Sequence, residues 1–192
     1  LDAKKNELEN ASYNLDQRSK KVAELESIIN KKDLLVTGLK NSISKALIGL
    51  EGDGLSVVQK KGKVYISVEE NLLFASGKYE LNSNGVSALN KLGAIIAEQK
   101  DLQILIEGHT DSIPFSGKGI IKDNWDLSVM RATSVVKVLI KNQKLNPSQL
   151  IAAGRAEYAP LSSNATTQGR QQNRRIEMIL SPNLDDLFEL LK

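Results

Sequence analysis

Apolar residues fall on every seventh position through the first fifty residues: Leu1, Leu8, Leu15, Val22, Ile29, Val36, Ile43 and Leu50. With these as heptad position a, the d positions are Lys4, Ala11, Arg18, Leu25, Lys32, Leu39 and Ala46, a mixture of apolar and basic. A sustained seven-residue repeat keeps one stripe facing a partner by winding the helix into a left-handed supercoil. No Pro interrupts the run, and Gly38 is its first Gly. The pattern predicts a coiled-coil stalk over residues 1–50, about 70 Å long at 1.5 Å per residue. Such a stalk makes the chain a homo-oligomer or acts as a spacer; an amphipathic helix lying on its own domain is the other arrangement the stripe allows. Basic residues at three d positions weaken the seam. Glu51-Gly52-Asp53-Gly54 predicts the end of the helix, since two glycines in three residues favour a turn.

Beyond residue 54 the period shortens. Residues 55–59 and 64–68 flank Lys60-Lys61-Gly62-Lys63 and predict a hairpin. Asn82 or Asn84 is placed to cap a helix carrying Val86, Leu89, Leu92 and Ile96. Residues 102–106 are almost wholly apolar and predict a buried strand. A second helix is expected over residues 124–141, its apolar face formed by Val129, Ala132, Val136 and Leu139 or Ile140. Short strands are expected at 150–153 and 175–180. Leu184, Leu187, Phe188 and Leu191 then give an amphipathic tail helix over 183–192. The order β-β-α-β-α-β-β-α predicts an α+β fold over residues 55–182, a mixed sheet with helices packed on one face.

Composition narrows the chemistry. Among 192 residues there is no Cys and one His. That removes disulfides, thiol catalysis, cysteinate metal centres and any two-histidine metal site within one chain. The net charge of +3, from 26 basic and 23 acidic residues, is too balanced for a nucleic-acid binder, so none is expected as a partner. No apolar run approaches the roughly 18–20 residues that span a bilayer. The chain begins at Leu1 rather than Met, which reads as a trimmed or processed product from which a targeting segment could have been removed. Membrane attachment is expected only through a segment missing from this chain.

Three segments are more polar than their positions require: Glu107-Gly108-His109-Thr110-Asp111, Asn124-Trp125-Asp126-Leu127-Ser128 with Arg131-Ala132, and Gly169-Arg170-Gln171-Gln172-Asn173-Arg174-Arg175. Asn124, Leu127 and Arg131 stand at i, i+3 and i+7 and share a helix face, placed by this spacing roughly opposite the middle of the apolar face. Asp111 follows the strand before that helix. A carboxylate and a guanidinium held a few ångströms apart suit the two ends of a zwitterion, an ammonium at Asp111 and a carboxylate at the Arg131 fork. A structural Asp111–Arg131 salt bridge is the plainer alternative. Arg174 and Arg175 are neighbours that point to opposite faces of a strand, so one of them is expected to be a solvated strand end. Arg174 is expected to share the face of Ile176 and Met178 and so to reach the site. His109 reads as strand-end packing, and Trp125 as a lid or core aromatic without a stacking role. Nothing resembles a nucleophile–base pair, and Glu107 with Asp111 makes a poor glycosidase pair, so no enzyme is expected.

With Phe74-Ala75-Ser76-Gly77-Lys78-Tyr79-Glu80-Leu81 ahead of them and Asn173-Arg174-Arg175 at the end, these motifs resemble the OmpA-like C-terminal domain family. That family includes the peptidoglycan-associated lipoprotein and the flagellar stator protein MotB. The resemblance runs from about residue 55 to 180. It implies a non-catalytic peptidoglycan-binding anchor, periplasmic and associated with the outer membrane in the full-length protein, with no cofactor and no metal. It implies further that Asp111 holds the amino group of diaminopimelate in the wall stem peptide. Arg131 takes its carboxylate, and Thr110, Asn124, Leu127 and Arg174 line the same site. Residues 112–123 form a longer connection than in the lipoprotein branch, closer to the MotB branch. Hence two alternatives stand beside the anchor: the periplasmic domain of a MotB-like stator subunit, and a protein-interaction scaffold with an altered pocket.

Overall fold

The computed structural model describes residues 2–48, 54–99, 101–117, 119–141 and 145–183. Helix α1 spans Asp2–Ala46. A compact unit comprises residues Val36–Pro182. In it, strands β1 (Leu55–Lys60) and β2 (Lys63–Glu69) precede the short helix α2 (Glu70–Leu73) and helix α3 (Ser83–Ile96). Strand β3 (Leu102–His109), helix α4 (Asn124–Ile140), strand β4 (Leu150–Gly154), helix α5 (Thr167–Asn173) and strand β5 (Arg175–Pro182) follow. The five strands form one mixed sheet in the order β1-β2-β5-β3-β4, with only β3 and β4 parallel. The α+β expectation therefore holds. No helix among the described residues is long and apolar enough to cross a membrane. The tail helix expected at 183–192 lies, beyond Asn183, outside the described residues.

Local chemistry sets the elements. The β1–β2 hairpin turns at Lys61 and Gly62, both at positive φ (50° and 68°). That is the two-residue turn whose twist matches the flanking strands, and Gly62 adopts it without a Cβ penalty. Asn82 caps α3, its side chain accepting from the Gly85 amide at 2.7 Å. Asp123 caps α4 in the same way, accepting from the Asp126 amide.

The core lies on one face of the sheet. Val64, Ile66 and Val68 of β2, Ile104 and Ile106 of β3, and Ile176, Met178 and Leu180 of β5 are all buried. Leu89, Leu92 and Ile96 of α3 and Ala132, Val135 and Leu139 of α4 are buried with them. The last turns of α1 join this unit: Val36, Leu39, Ile43 and Leu47 are buried, and the Thr37 hydroxyl lies 3.3 Å from Gln59 Oε1 on β1. The a-position residues Leu8, Leu15, Val22 and Ile29 are exposed. The helix ends at Ala46, ahead of the Glu51–Gly54 turn from which its end was expected.

The expected face of α4 needs correction. Val129 and Ile140 are exposed, and the buried stripe is Asn124, Leu127, Ser128, Arg131, Ala132, Val135 and Leu139. The reason is at Gly108 and Gly154. A Cβ on Gly108 would stand 2.0 Å from the Ser128 carbonyl oxygen, and one on Gly154 2.5 Å from the Ser128 hydroxyl. Backbone-close contact at two glycines draws the Ser128 side of the helix onto the sheet. Asn124, Leu127 and Arg131 are thereby carried inward rather than away from the core.

Candidate ligand-binding cavity

Strand register brings the polar segments together. Glu69 of β2, Arg175 of β5 and His109 of β3 lie side by side across three strands. The residues just past that row, Glu70, Arg174, Thr110 and Asp111, therefore emerge at the same end of the sheet. The Glu70 amide donates to the Arg174 carbonyl at 2.9 Å, which pins two of these ends. The first turns of α4 add Asn124, Leu127 and Arg131. All six residues expected at the site line one cavity of about 370 Å³, together with Glu70, Ser76, Gly77, Ile113, Pro114 and Phe115.

The charges form a chain. Asp111 Oδ2 meets Arg174 Nη1 at 2.6 Å, Arg174 Nε lies 3.1 Å from Glu70 Oε2, and Glu70 Oε1 accepts from Arg131 Nη2 at 2.7 Å. Asp111 and Arg131 are thus not salt-bridged to each other; each has its own partner. Arg131 also donates from Nε to the Lys78 carbonyl at 2.9 Å, and its guanidinium carbon lies 5.2 Å from the Phe74 ring centroid. Arg131 Nη1 and Arg174 Nη2 have no protein partner among the described residues. Two acids and two bases leave the set neutral overall while offering both signs at short range.

The remaining residues position the strand end. Asn124 Nδ2 donates to the carbonyls of Asp111 (3.3 Å) and Ile113 (3.1 Å). The Ile113 amide donates to Asp111 Oδ1 at 3.0 Å, fixing the carboxylate. Thr110 donates its amide to the Ala156 carbonyl and its hydroxyl to the Asp111 carbonyl. The long connection contributes Ile113, Pro114 and Phe115 to the cavity wall. Buried Asn173 accepts from the Leu161 and Ser162 amides and holds the loop before α5.

Three expectations change. Arg174 is the C-cap of α5 rather than a strand residue; the strand starts at Arg175, so Arg174 does not share the face of Ile176 and Met178. Neither arginine is a solvated strand end, for Arg174 is ion-paired and Arg175 is buried. Trp125 is exposed and stacks on Tyr158, with ring centroids 5.7 Å apart. Glu70, which bridges the two cavity arginines, was not singled out from the sequence at all.

On the face of the sheet away from α3 and α4, β3 and β5 carry a second polar group. His109 Nε2 lies 3.5 Å from Glu107 and 3.6 Å from Glu177. Arg155 pairs with Glu107 at 3.0 Å and Arg175 with Glu177 at 3.3 Å. Burial, with Arg175 and Arg155 nearby, lowers the His109 pKa to about 3, so the imidazole is neutral. The Glu107, His109 and Glu177 ligand atoms lie within 4.8 Å of one another. Two guanidiniums already neutralise both carboxylates and would repel a cation there. His109 packs at the strand end, as its position suggested.

A sheet with helices on one face and a two-signed cavity at its strand ends defines an α+β module with a candidate binding cavity. The chain belongs to the OmpA family, whose model matches residues 73–174, more than half of its length. It is 35% identical to motility protein B of Bacillus subtilis over 61% of this chain and 44% of that protein. It is 31% identical to the probable lipoprotein YiaD of Escherichia coli over 69% of this chain and 58% of that protein. The chain thus spans about half the length of the curated relatives it matches. Among solved structures, a MotB-like protein from Desulfovibrio vulgaris superposes with a TM-score of 0.74 at 25% identity, covering 81% of this chain and 96% of that one. The periplasmic domain of Helicobacter pylori MotB gives 0.65 at 28% identity, covering 75% and 89%.

Proposed function

We propose that this chain is a non-catalytic anchor of the bacterial cell envelope whose cavity holds peptidoglycan by the diaminopimelate of its stem peptide. The observation that carries the proposal is the convergence of Thr110, Asp111, Asn124, Leu127, Arg131 and Arg174 on one cavity with two carboxylates and two guanidiniums. A neutral charge set suits a ligand that is itself neutral overall but locally charged. Diaminopimelate in a stem peptide ends in such an α-centre. Its ammonium docks on Asp111, which keeps lone pairs to spare beside Arg174. Its carboxylate takes the open Nη edges of Arg131 and Arg174 in charge-assisted bonds. Leu127 packs the ligand's methylenes, and Asn124 and Thr110 hold the strand end in place.

The proposed location is the periplasm, with attachment to the outer membrane through a segment outside this chain. The resemblance to the lipoprotein YiaD supports that anchor. A second reading, the periplasmic domain of a MotB-like flagellar stator subunit, is favoured by the likeness to motility protein B in sequence and structure. The gene product ahead of residue 1 separates the two: a Cys-bearing lipoprotein signal supports the anchor, and a membrane helix with an ion-carrying Asp the stator. Both keep the same cavity.

Co-sedimentation with purified diaminopimelate-type sacculi tests the binding. The wild type is expected in the pellet, the folded Asp111→Ala variant in the supernatant, and labelled wall should release no soluble fragments. Equal pelleting of the variant would remove Asp111 from the site. A folded wild type that stays in solution would leave a protein-interaction scaffold, and released fragments would make the chain an enzyme.

A further inference from the structure

The chain's single Trp sits on the surface. Trp125, in the first turn of α4, is 49% exposed and stacks on Tyr158, which is 70% exposed, at an interplanar angle of 27°. The pair is held from beneath. The Ser128 hydroxyl donates to the Trp125 carbonyl at 2.9 Å and accepts from the Ala156 amide at 3.2 Å. The turn bearing Tyr158 is closed by its amide on the Arg155 carbonyl and tied to β3, where Arg155 donates to the Gly108 carbonyl. A fully buried Ala156 at φ 46° is held in that turn. Two large rings are thus fixed by separate elements and left facing water, where apolar surface has a cost unless something covers it. Trp125 directly follows Asn124, which lines the cavity.

We propose that the Trp125–Tyr158 pair is a second subsite, a stacking platform for a pyranose ring of the wall glycan whose stem peptide enters the neighbouring cavity. The inference rests on the peptidoglycan reading for the identity of the polymer. A pyranose presents an apolar C–H face that a rigid aromatic surface covers, while its hydroxyls stay in water. The stem residues between sugar and diaminopimelate form a covalent tether more than roughly 7 Å long when extended. A stem peptide in the cavity and a sugar on the rings would therefore be one ligand gripped at two points.

The lone Trp makes its own reporter. The chain is titrated, with heat and Trp fluorescence both recorded, with three probes: the diaminopimelate stem peptide, the same peptide on its disaccharide, and a peptide-free glycan strand. The disaccharide-peptide should bind roughly five- to tenfold more tightly than the peptide, the size expected for covering one sugar face. It alone of the two peptides should shift Trp fluorescence, and the glycan strand should shift it weakly. Trp125→Ala and Tyr158→Ala, checked for fold by circular dichroism, should abolish the difference and leave free-peptide affinity unchanged. Equal affinity of the wild type for both peptides, or a difference that survives Trp125→Ala, overturns the platform while the cavity stands. A fluorescence shift with glycan but no binding of peptide supports the platform and refutes the cavity. No response to any probe refutes both.

Discussion

Two arginines enter the cavity under different constraints. The Arg131 side chain is 3% exposed and its acid partner is Glu70, whereas Arg174 is 34% exposed and touches both acids. Removing the partner of a buried charge strands it in low dielectric. Glu70→Ala, which strands Arg131, is therefore expected to lower stability by about 3 kcal/mol in urea unfolding. A loss under about 1 kcal/mol would mean that Arg131 does not depend on Glu70. His109 makes a pH prediction. Its pKa of about 3 when folded, against about 6.5 unfolded, means that the unfolded chain binds the extra proton between those values. Its contribution to stability is present above about pH 6.5 and declines as pH falls toward 3, with a slope of up to about 1.4 kcal/mol per pH unit. Compared with the wild type, His109→Asn should flatten the stability profile in that window; parallel profiles would contradict the assignment. At this scale the sequence was partly legible. Asp111 and Arg131 stood out through their motifs and spacing. Glu70 did not, because only the β2–β5 register brings it opposite Arg174, and no local pattern encodes that register.

Helix α1 uses one stripe in two ways. Val36, Leu39 and Ile43 belong to the compact unit, while Leu8, Leu15, Val22 and Ile29 continue the same heptad positions exposed. A seven-residue repeat is blind to what covers it. We propose that the exposed heptads pair with a second copy of the chain. Ile43→Ala should then cost about 2–4 kcal/mol of domain stability. Val22→Ala should change it by less than about 0.5 kcal/mol but weaken self-association in sedimentation equilibrium. Loss of domain stability in Val22→Ala, or unchanged association, would contradict that division. The hairpin and the α3 cap were legible because turn and capping chemistry are local. The buried face of α4 was not, because its rotation is set by Gly108 and Gly154 on other elements, and a hydrophobic pattern counts buried Asn124 and Arg131 as outward.

For the whole molecule, the α+β class was legible from the order of the elements, and the family from four motifs in sequence order; the strand order β1-β2-β5-β3-β4 and helix α5 between the last two strands were not. The charge network was not, since it depends on which acid reaches which base across 61 to 104 residues of chain. A paired stalk would present two cavities to an insoluble, repeating polymer, so that weak single sites combine into firm attachment. That account stands on the cavity's recognition of both ends of a zwitterion. Calorimetric titration tests it most directly, using two stem peptides that differ only in diaminopimelate versus lysine, which keeps the ammonium side chain and lacks the second carboxylate. The diaminopimelate peptide should bind at least roughly tenfold more tightly, and folded Asp111→Asn should lose it. Equal affinity for the two peptides, or none for either by the folded protein, would contradict the account.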